Sequence, residues 1–430
     1  MKVDLLLPRV YLVEQRFAAP REIDLGAAVH RELSRLGLGQ KIRPGDRVAI
    51  TAGSRGIRHI DDILRAVVVE LTALGARPFI VPAMGSHGQG TADGQRAVLA
   101  GLGITEAAMG CEIRATMEVV EIGRTRLNTP VFLDRFAAEA NHIAVVNRVK
   151  LHTKLTGEIE SGLLKMCLIG LGKCQGARTY HRAIEQHSWM EILESVYEIL
   201  LHKAPIGFGL AILQNAYEDI AELSGVAPGD FWEEEQRLLS RARGLRGRLP
   251  FEEADLLIVD EMGKEISGTG MDTTLTGRKP GLRSKIARVF VRDLTEKTRG
   301  NAQGIGLADF TTKRLVDRID FAAVYLNSQT AYRTDSCKIP MHFSTDGEVL
   351  RVATEMAGIA NPAELRWIWI KNTLELDKIL VSEAYAREFD SRPDLSVLKG
   401  PLEIALDPEG NLMSPFVANR TQRTEEHETA

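Results

Sequence analysis

Residues 47–82 read R-V-A-I-T-A-G-S-R-G-I-R-H-I-D-D-I-L-R-A-V-V-V-E-L-T-A-L-G-A-R-P-F-I-V-P. The apolar run 47–51 is short and stops at a glycine turn, so it reads as a strand. Residues 60–74 place apolar side chains at helical spacing, and 78–82 is a second strand-like run. Strand, helix and strand in this order imply a right-handed crossover between parallel neighbours. Sheets of that kind collect ligands at the carboxyl edge of their strands. The loops Ala52-Gly53-Ser54-Arg55-Gly56 and Ala83-Met84-Gly85-Ser86-His87-Gly88 both follow such strands, so they should share one rim. Working outward, 90–100 reads as a helix, 142–146 as a strand, 189–201 as a helix and 207–213 as a strand. The charged stretch 232–248 reads as a solvent-exposed connecting helix. Residues 254–259 then open a second domain with further strands at 321–326 and 365–370. At 430 residues the chain exceeds one ordinary core. The expectation is an α/β protein: two α/β domains with mostly parallel sheets and an interdomain cleft, divided as residues 1–248 and 249–420, followed by a polar tail at 421–430.

Composition excludes several classes. A hydrophobic content of 44% with 26% charged residues is that of a soluble globular protein. A net charge of -4 gives no electrostatic case for nucleic acid or an anionic membrane. Cys111, Cys167, Cys174 and Cys337 form no C-x-x-C pair, which argues against a zinc ribbon or disulfide framework and fits a reduced, cytoplasmic setting. Only three consecutive apolar residues precede Pro8, so neither a signal peptide nor a spanning helix is expected.

The chemistry concentrates in residues 149–181, V-K-L-H-T-K-L-T-G-E-I-E-S-G-L-L-K-M-C-L-I-G-L-G-K-C-Q-G-A-R-T-Y-H, which carry His152, Lys165 and His181 among glycines. His87 sits upstream in A-M-G-S-H-G-Q-G. Glycines let the backbone approach a ligand, and imidazole suits proton transfer or metal ligation near neutral pH. Taken singly, His87 is as readily a surface turn residue, and His152 reads more often as a hydrogen-bonded residue at a strand end. Lys165, in the apolar run L-L-K-M-C-L-I, either snorkels to water or has a task. The segment Gly170-Leu171-Gly172-Lys173 is not a phosphate loop, because Cys174 follows the lysine. No G-x-G-x-x-G follows the first strand, which argues against a nicotinamide-binding domain. His30, His59, His187 and His202 lie in helical or polar contexts and read as solvent-facing.

Together these residues resemble the nickel-pincer-nucleotide lactate racemases and their relatives, racemases and epimerases of 2-hydroxy acids. In that family one histidine lies in a loop after an early strand. A second precedes a turn whose lysine is covalently tethered to the cofactor, and a third ligates nickel. This chain offers His87 in G-S-H-G, His152 in K-L-H-T, Lys165 in S-G-L-L-K and His181 in T-Y-H, in that order. The resemblance is strongest over residues 47–181 and weak in the second domain. It implies His87 and His152 as catalytic bases, one for each face of the substrate. It implies Lys165 as the tether of a nickel-pincer nucleotide, a pyridinium-3,5-bisthiocarboxylic acid mononucleotide holding nickel, and His181 as the nickel ligand. The turns at Gly157, Gly162 and Gly170 would hold the cofactor phosphate. Arg55 is the match for the substrate arginine, with Arg58 as the alternative, and Lys264, Arg278 and Lys279 are second-domain candidates for substrate contacts. Cofactor-biosynthesis enzymes are implied as partners.

The chemistry is coherent with that set. The α-proton of a 2-hydroxy acid is barely acidic. Inversion therefore proceeds better when one base takes the hydroxyl proton while the α-hydrogen leaves as hydride to an electron-poor cofactor. The chain departs from the family at G-S-H in place of G-F-H, and it lacks a clean counterpart of the lactate enzymes' substrate lysine. The expected substrate is accordingly a 2-hydroxy acid larger or more polar than lactate. Two other readings compete. A zinc hydrolase built on His87, His152 and His181 would lack an assigned base and leave Lys165 without purpose. A non-catalytic nucleotide- or metabolite-binding protein would retain only the fold.

Overall fold

The computed structural model describes residues 6–22, 24–54, 56–330 and 334–416. The chain divides into two compact units, one of residues 18–246 and one joining the segment up to Phe17 with the chain from Gly247 onward. Strand β1 (Val10–Gln15) is thus separated in sequence from the sheet that it completes. Among the described residues no helix is long and apolar enough to cross a membrane.

The 18–246 unit contains β2 (Arg47–Ala52) and β3 (Arg77–Pro82), an antiparallel ribbon of β4 (Val119–Arg124) and β5 (Pro130–Asp134), and then β6 (His142–Arg148), β7 (Ile206–Gln214) and β8 (Ile220–Val226). The main sheet runs β3-β2-β6-β7-β8, parallel through β7 and antiparallel at β8. Strand alternation sorts its side chains into two cores. Val48, Ile50, Ala144 and Val146 face the Ile60–Ala73 helix, which buries Ile63, Leu64, Val67 and Leu71. Ala49, Ile143 and Val145 face the Trp189–Lys203 and Phe231–Leu245 helices, which bury Ile192, Val196, Leu238 and Ala242. Both faces are covered, which is why the strands are apolar throughout rather than alternating with polar residues.

The second unit contains β9 (Ala254–Met262), β10 (Ile286–Leu294), β11 (Phe310–Thr312), β12 (Met341–Phe343), β13 (Trp367–Ile370), β14 (Lys378–Ser382) and β15 (Leu395–Leu402). Its sheet runs β12-β11-β10-β9-β13-β14-β1-β15, parallel from β12 to β13 and antiparallel beyond. The mixed α/β class with mostly parallel sheets is therefore observed in both units. In this sheet Arg292 is buried yet fully engaged, bonding Asp260 at 2.6 Å and Asp346 at 2.7 Å and 2.8 Å.

Three expectations are corrected. The run 321–326 is the start of a helix, Phe321–Thr330, because the Asp320 side chain accepts from Ala323 N at 3.0 Å and supplies an N-terminal cap that a strand would not use. The expected helix 90–100 begins at Ala92, after a tight turn at Gly88–Gly90, with the Thr91 hydroxyl accepting from Gly94 N. The boundary at 248 assigned β1 to the first domain, whereas β1 pairs with β14 and β15, its fully buried Val13 lying in the second unit's core.

Val13→Asp would place an unpaired carboxylate in that core and should cost on the order of 3–5 kcal/mol. Hydrogen exchange should then accelerate in β14 and β15 while β2 and β6 keep their protection. Equal loss in both units would contradict the assignment of β1.

Candidate active site

In the 18–246 unit the chain passes from β2 to β3 on one side and later lays β6 on the other side of β2. Such a reversal of strand order opens a crevice at the carboxyl edge. The loops leaving β2, β3 and β6 emerge there, and the helical segment from Leu163 to Ala183 packs on them. A Cβ added at Gly53, after β2, would lie 3.3 Å from Met166 Cε. After β3, Gly85 N donates to Gly170 O at 3.3 Å, and a Cβ on Gly90 would lie 3.0 Å from Cys174 Sγ. After β6, Lys150 bridges to Ser161, immediately before the helix. The glycine loops and the lysine-bearing segment, far apart in sequence, thus meet at one rim.

His87 lies exposed on the loop after β3. Gly85, Gly88, Gln89 and Gly90 adopt left-handed backbone angles around it. At Gly88 the reason is also steric, since a Cβ would come within 2.5 Å of Gln95 N. The buried Gln95 side chain donates to Gly85 O at 2.9 Å and His87 O at 3.3 Å.

His152 follows β6. Its backbone N–H donates to the buried Glu160 carboxylate at 2.7 Å, and Arg243 lies 3.6 Å from that same group. Its ring Nδ1 accepts from Lys154 N at 3.1 Å and Leu155 N at 2.9 Å. With Nδ1 accepting, the neutral ring carries its proton on Nε2.

Lys165 closes a single helical turn, Leu163–Lys165, and five residues of π-helix, Met166–Gly170, follow it. Such wide turns recur at functional sites. The turn is held from below: Asn147 Nδ2 donates to Gly162 O at 2.7 Å, and Glu235 Oε2 accepts from Leu164 N at 2.9 Å. Glu235 is buried, and burial pushes its carboxyl up to about 8 against the lowering pull of the Leu164 and Leu163 N–H groups and of Lys165. His181 lies half-buried on the Lys173–Ala183 helix. Burial, then the charges of Lys165 and Lys154, push it down to about 4, so its imidazole is neutral at physiological pH.

The remaining expected residues fall differently. Arg55 lies outside the described residues. Arg58 is exposed and paired with Asp219. The space beside Gly157, Gly162 and Gly170 is filled by the protein itself, by Met190, Glu235 and Met166 with Ala83 O respectively, so packing accounts for the absence of a side chain at each. Lys264 and Arg278 belong to the other unit. There Lys264 Nζ donates to Gly268 O at 2.7 Å. Arg278 braces its loop on Asp309 at 2.7 Å and Ile286 O at 3.1 Å, and Lys279 is buried. Among the described residues no group of three or more His, Cys, Asp or Glu is placed to hold a metal ion, so His87, His152 and His181 do not converge into the ligand set of the zinc reading. Sequence reasoning missed Glu235, Glu160, Gln95 and Asp134: Glu235 stands 71 residues from Leu164, while Glu160 and Gln95 reach back 8 to 10 residues across turns that no local period marks. It set Lys173 aside along with the false phosphate loop.

These features define an α/β protein with a lysine, a neutral imidazole and two further histidines around the crevice loops of one unit. Residues 13–191 match the family model described as the lactate racemase N-terminal domain. The lactate racemase apoprotein from Thermoanaerobacterium thermosaccharolyticum superposes with a TM-score of 0.45 and 13% identity, over 65% of this chain and 69% of that one. No curated protein matches the chain.

Glu235 generates a pH test. Its folded value near 8 exceeds its unfolded value, so between about pH 4.5 and 8 the folded state holds a proton that the unfolded state has lost. Its stabilising contribution is full below that window and disappears as pH rises through it. The stability of wild type relative to Glu235→Gln, which keeps a neutral acceptor for Leu164 N, should fall by on the order of 3 kcal/mol from pH 5 to pH 8 in urea melts. A pH-independent difference would show an ordinary ionised carboxylate.

Proposed function

We propose that this protein is an isomerase, a racemase or epimerase of a small 2-hydroxy acid, which works with a nickel-pincer nucleotide tethered at Lys165. The observation that carries the reading is His181, an imidazole kept neutral by burial beside Lys165 and Lys154 within the segment that matches the lactate racemase domain. A neutral imidazole offers its lone pair to a metal. Nitrogen together with the sulfur of such a nucleotide suits nickel. Lys165 stands on a turn locked by Asn147 and Glu235, so an attachment made there has a fixed origin. The donor set fits the group: His181 would ligate and Lys165 would tether. When bound, the group supplies an acceptor for the α-hydrogen that no side chain can provide.

The chain's own residues then handle protons and orientation. His87, on its anchored loop, takes and returns the hydroxyl proton at a ring nitrogen. His152 presents Nε2–H, a hydrogen-bond donor for a substrate oxygen. Acting as a second base, as the symmetric reading has it, would require the ring to release the N–H groups of Lys154 and Leu155 and move its proton to Nδ1. The substrate carboxylate calls for a cation, with Arg55 as the residue assigned by resemblance.

Protein produced together with cofactor-building enzymes should carry nickel and an added mass that maps to Lys165. It should interconvert the enantiomers of at least one acid among lactate, malate, 2-hydroxyglutarate and sugar acids, retaining hydrogen at C2 in deuterated water. Activity with unmodified Lys165, or with zinc alone, would overturn the proposal.

The two histidines separate by substitution. His87→Ala should lower kcat by about 10²-fold or more. His152→Gln, which keeps a donor, should retain clearly more activity than His152→Ala. Equal loss in both His152 variants would mean that His152 transfers a proton.

A further inference from the structure

Beneath the His87 loop lies a polar cluster that the proposed chemistry does not use. Lys173 is fully buried, and its Nζ lies 3.0 Å from Asp134 Oδ2, at the end of β5. The same Nζ donates to Gln95 Oε1 at 3.2 Å and to Pro82 O at the end of β3. Asp134 is fully buried as well, and its Oδ1 accepts from Ala137 N at 2.9 Å. Gln95 passes the connection on to the loop through its bonds to Gly85 O and His87 O. Three elements are thereby tied together: the end of β3, the loop of His87, and the N-terminus of the helix that carries His181.

The backbone is arranged around this cluster. Lys173 has φ 53°, a left-handed angle that side chains adopt at a cost and that persists only where the surroundings enforce it. Gly172 immediately before it is obligatory, since a Cβ there would sit 2.2 Å from Leu168 O. An ammonium without water is expensive, and burial pushes Lys173 down while the Asp134 charge opposes that shift. A plain core could have held these elements with apolar side chains. The hydrogen bonds of Lys173 to Gln95 Oε1 and Pro82 O instead fix them by direction, because each acceptor must lie where the donor points.

We infer that Gln95, Lys173 and Asp134 form a positioning device that holds the His87 loop in register with the His181 helix. This rests on His87 acting as the proposed base, while the device itself is measurable without turnover. Lys173 and Asp134 are unsuitable probes, since removing either strands a buried charge. Gln95 separates the parts. Gln95→Met removes every polar contact of that side chain at similar size. Gln95→Glu keeps an oxygen for Lys173 but loses the N–H donors to Gly85 and His87.

Hydrogen exchange of the apoprotein and kinetics of the cofactor-loaded enzyme test the device together. In both variants the amides of 85–91 should exchange at least tenfold faster, the scale of losing one or two hydrogen bonds, while β2 and β6 change less than about twofold. In the loaded enzyme kcat should fall at least tenfold with KM within about twofold and nickel content unchanged. Wild-type exchange at 85–91 in both variants would overturn the device. Faster exchange with unchanged kcat would overturn its role for His87. If loaded wild type turns over no 2-hydroxy acid, the functional reading fails, and exchange alone still decides whether Gln95 clamps the loop.

Discussion

A parallel sheet covered by helices on both faces leaves its strand ends as the place where a ligand can meet backbone groups. In the 18–246 unit that constraint governs the rest. Val48, Ile50, Ala144 and Val146 point into one core, and Ala49, Ile143 and Val145 into the other, so no face of the sheet is available for chemistry. The reversal of strand order around β2 then directs the loops after β2, β3 and β6 to a common edge. Glycines follow because chain segments must pass one another closely there, as Gly53 passes Met166 and Gly85 passes Ile169.

That edge is organised by buried ionisable groups. Lys173 with Asp134 and the protonated Glu235 stand where water is excluded, and each is matched to backbone groups of the segments that it holds. Burying such groups costs more than a hydrocarbon core would, and the return is orientation. The same low dielectric decides the state of His181. An exposed histidine on a helix would titrate near 6.5, whereas burial beside two lysines lowers it to about 4 and leaves the lone pair available.

The second unit solves a different problem. Its parallel strands β12 to β13 continue into an antiparallel end made of β14, β1 and β15, so a segment from the start of the chain completes a sheet begun after Gly247. Arg278 and Lys264, read as substrate contacts, have backbone and carboxylate partners within this unit that account for their polarity.

Much was legible in the sequence because it depends on neighbours along the chain. The period of apolar residues identified β2, the Ile60–Ala73 helix, β3 and β6, and the glycines around His87 and Lys165 marked turns. The order of His87, His152, Lys165 and His181 carried the family resemblance that the match over 13–191 supports. Local pattern failed at 321–326, where an apolar run suits a strand or a helix equally and a cap at Asp320 decided. It also could not place β1, whose partners lie more than 350 residues away. Charge states were likewise beyond it: a sequence cannot show that Glu235 comes to lie under the turn of Lys165, or that two backbone N–H groups occupy Nδ1 of His152. The residue types were written in the sequence. Their protonation, partners and direction depend on burial and long-range contact, which exist only once the chain has folded.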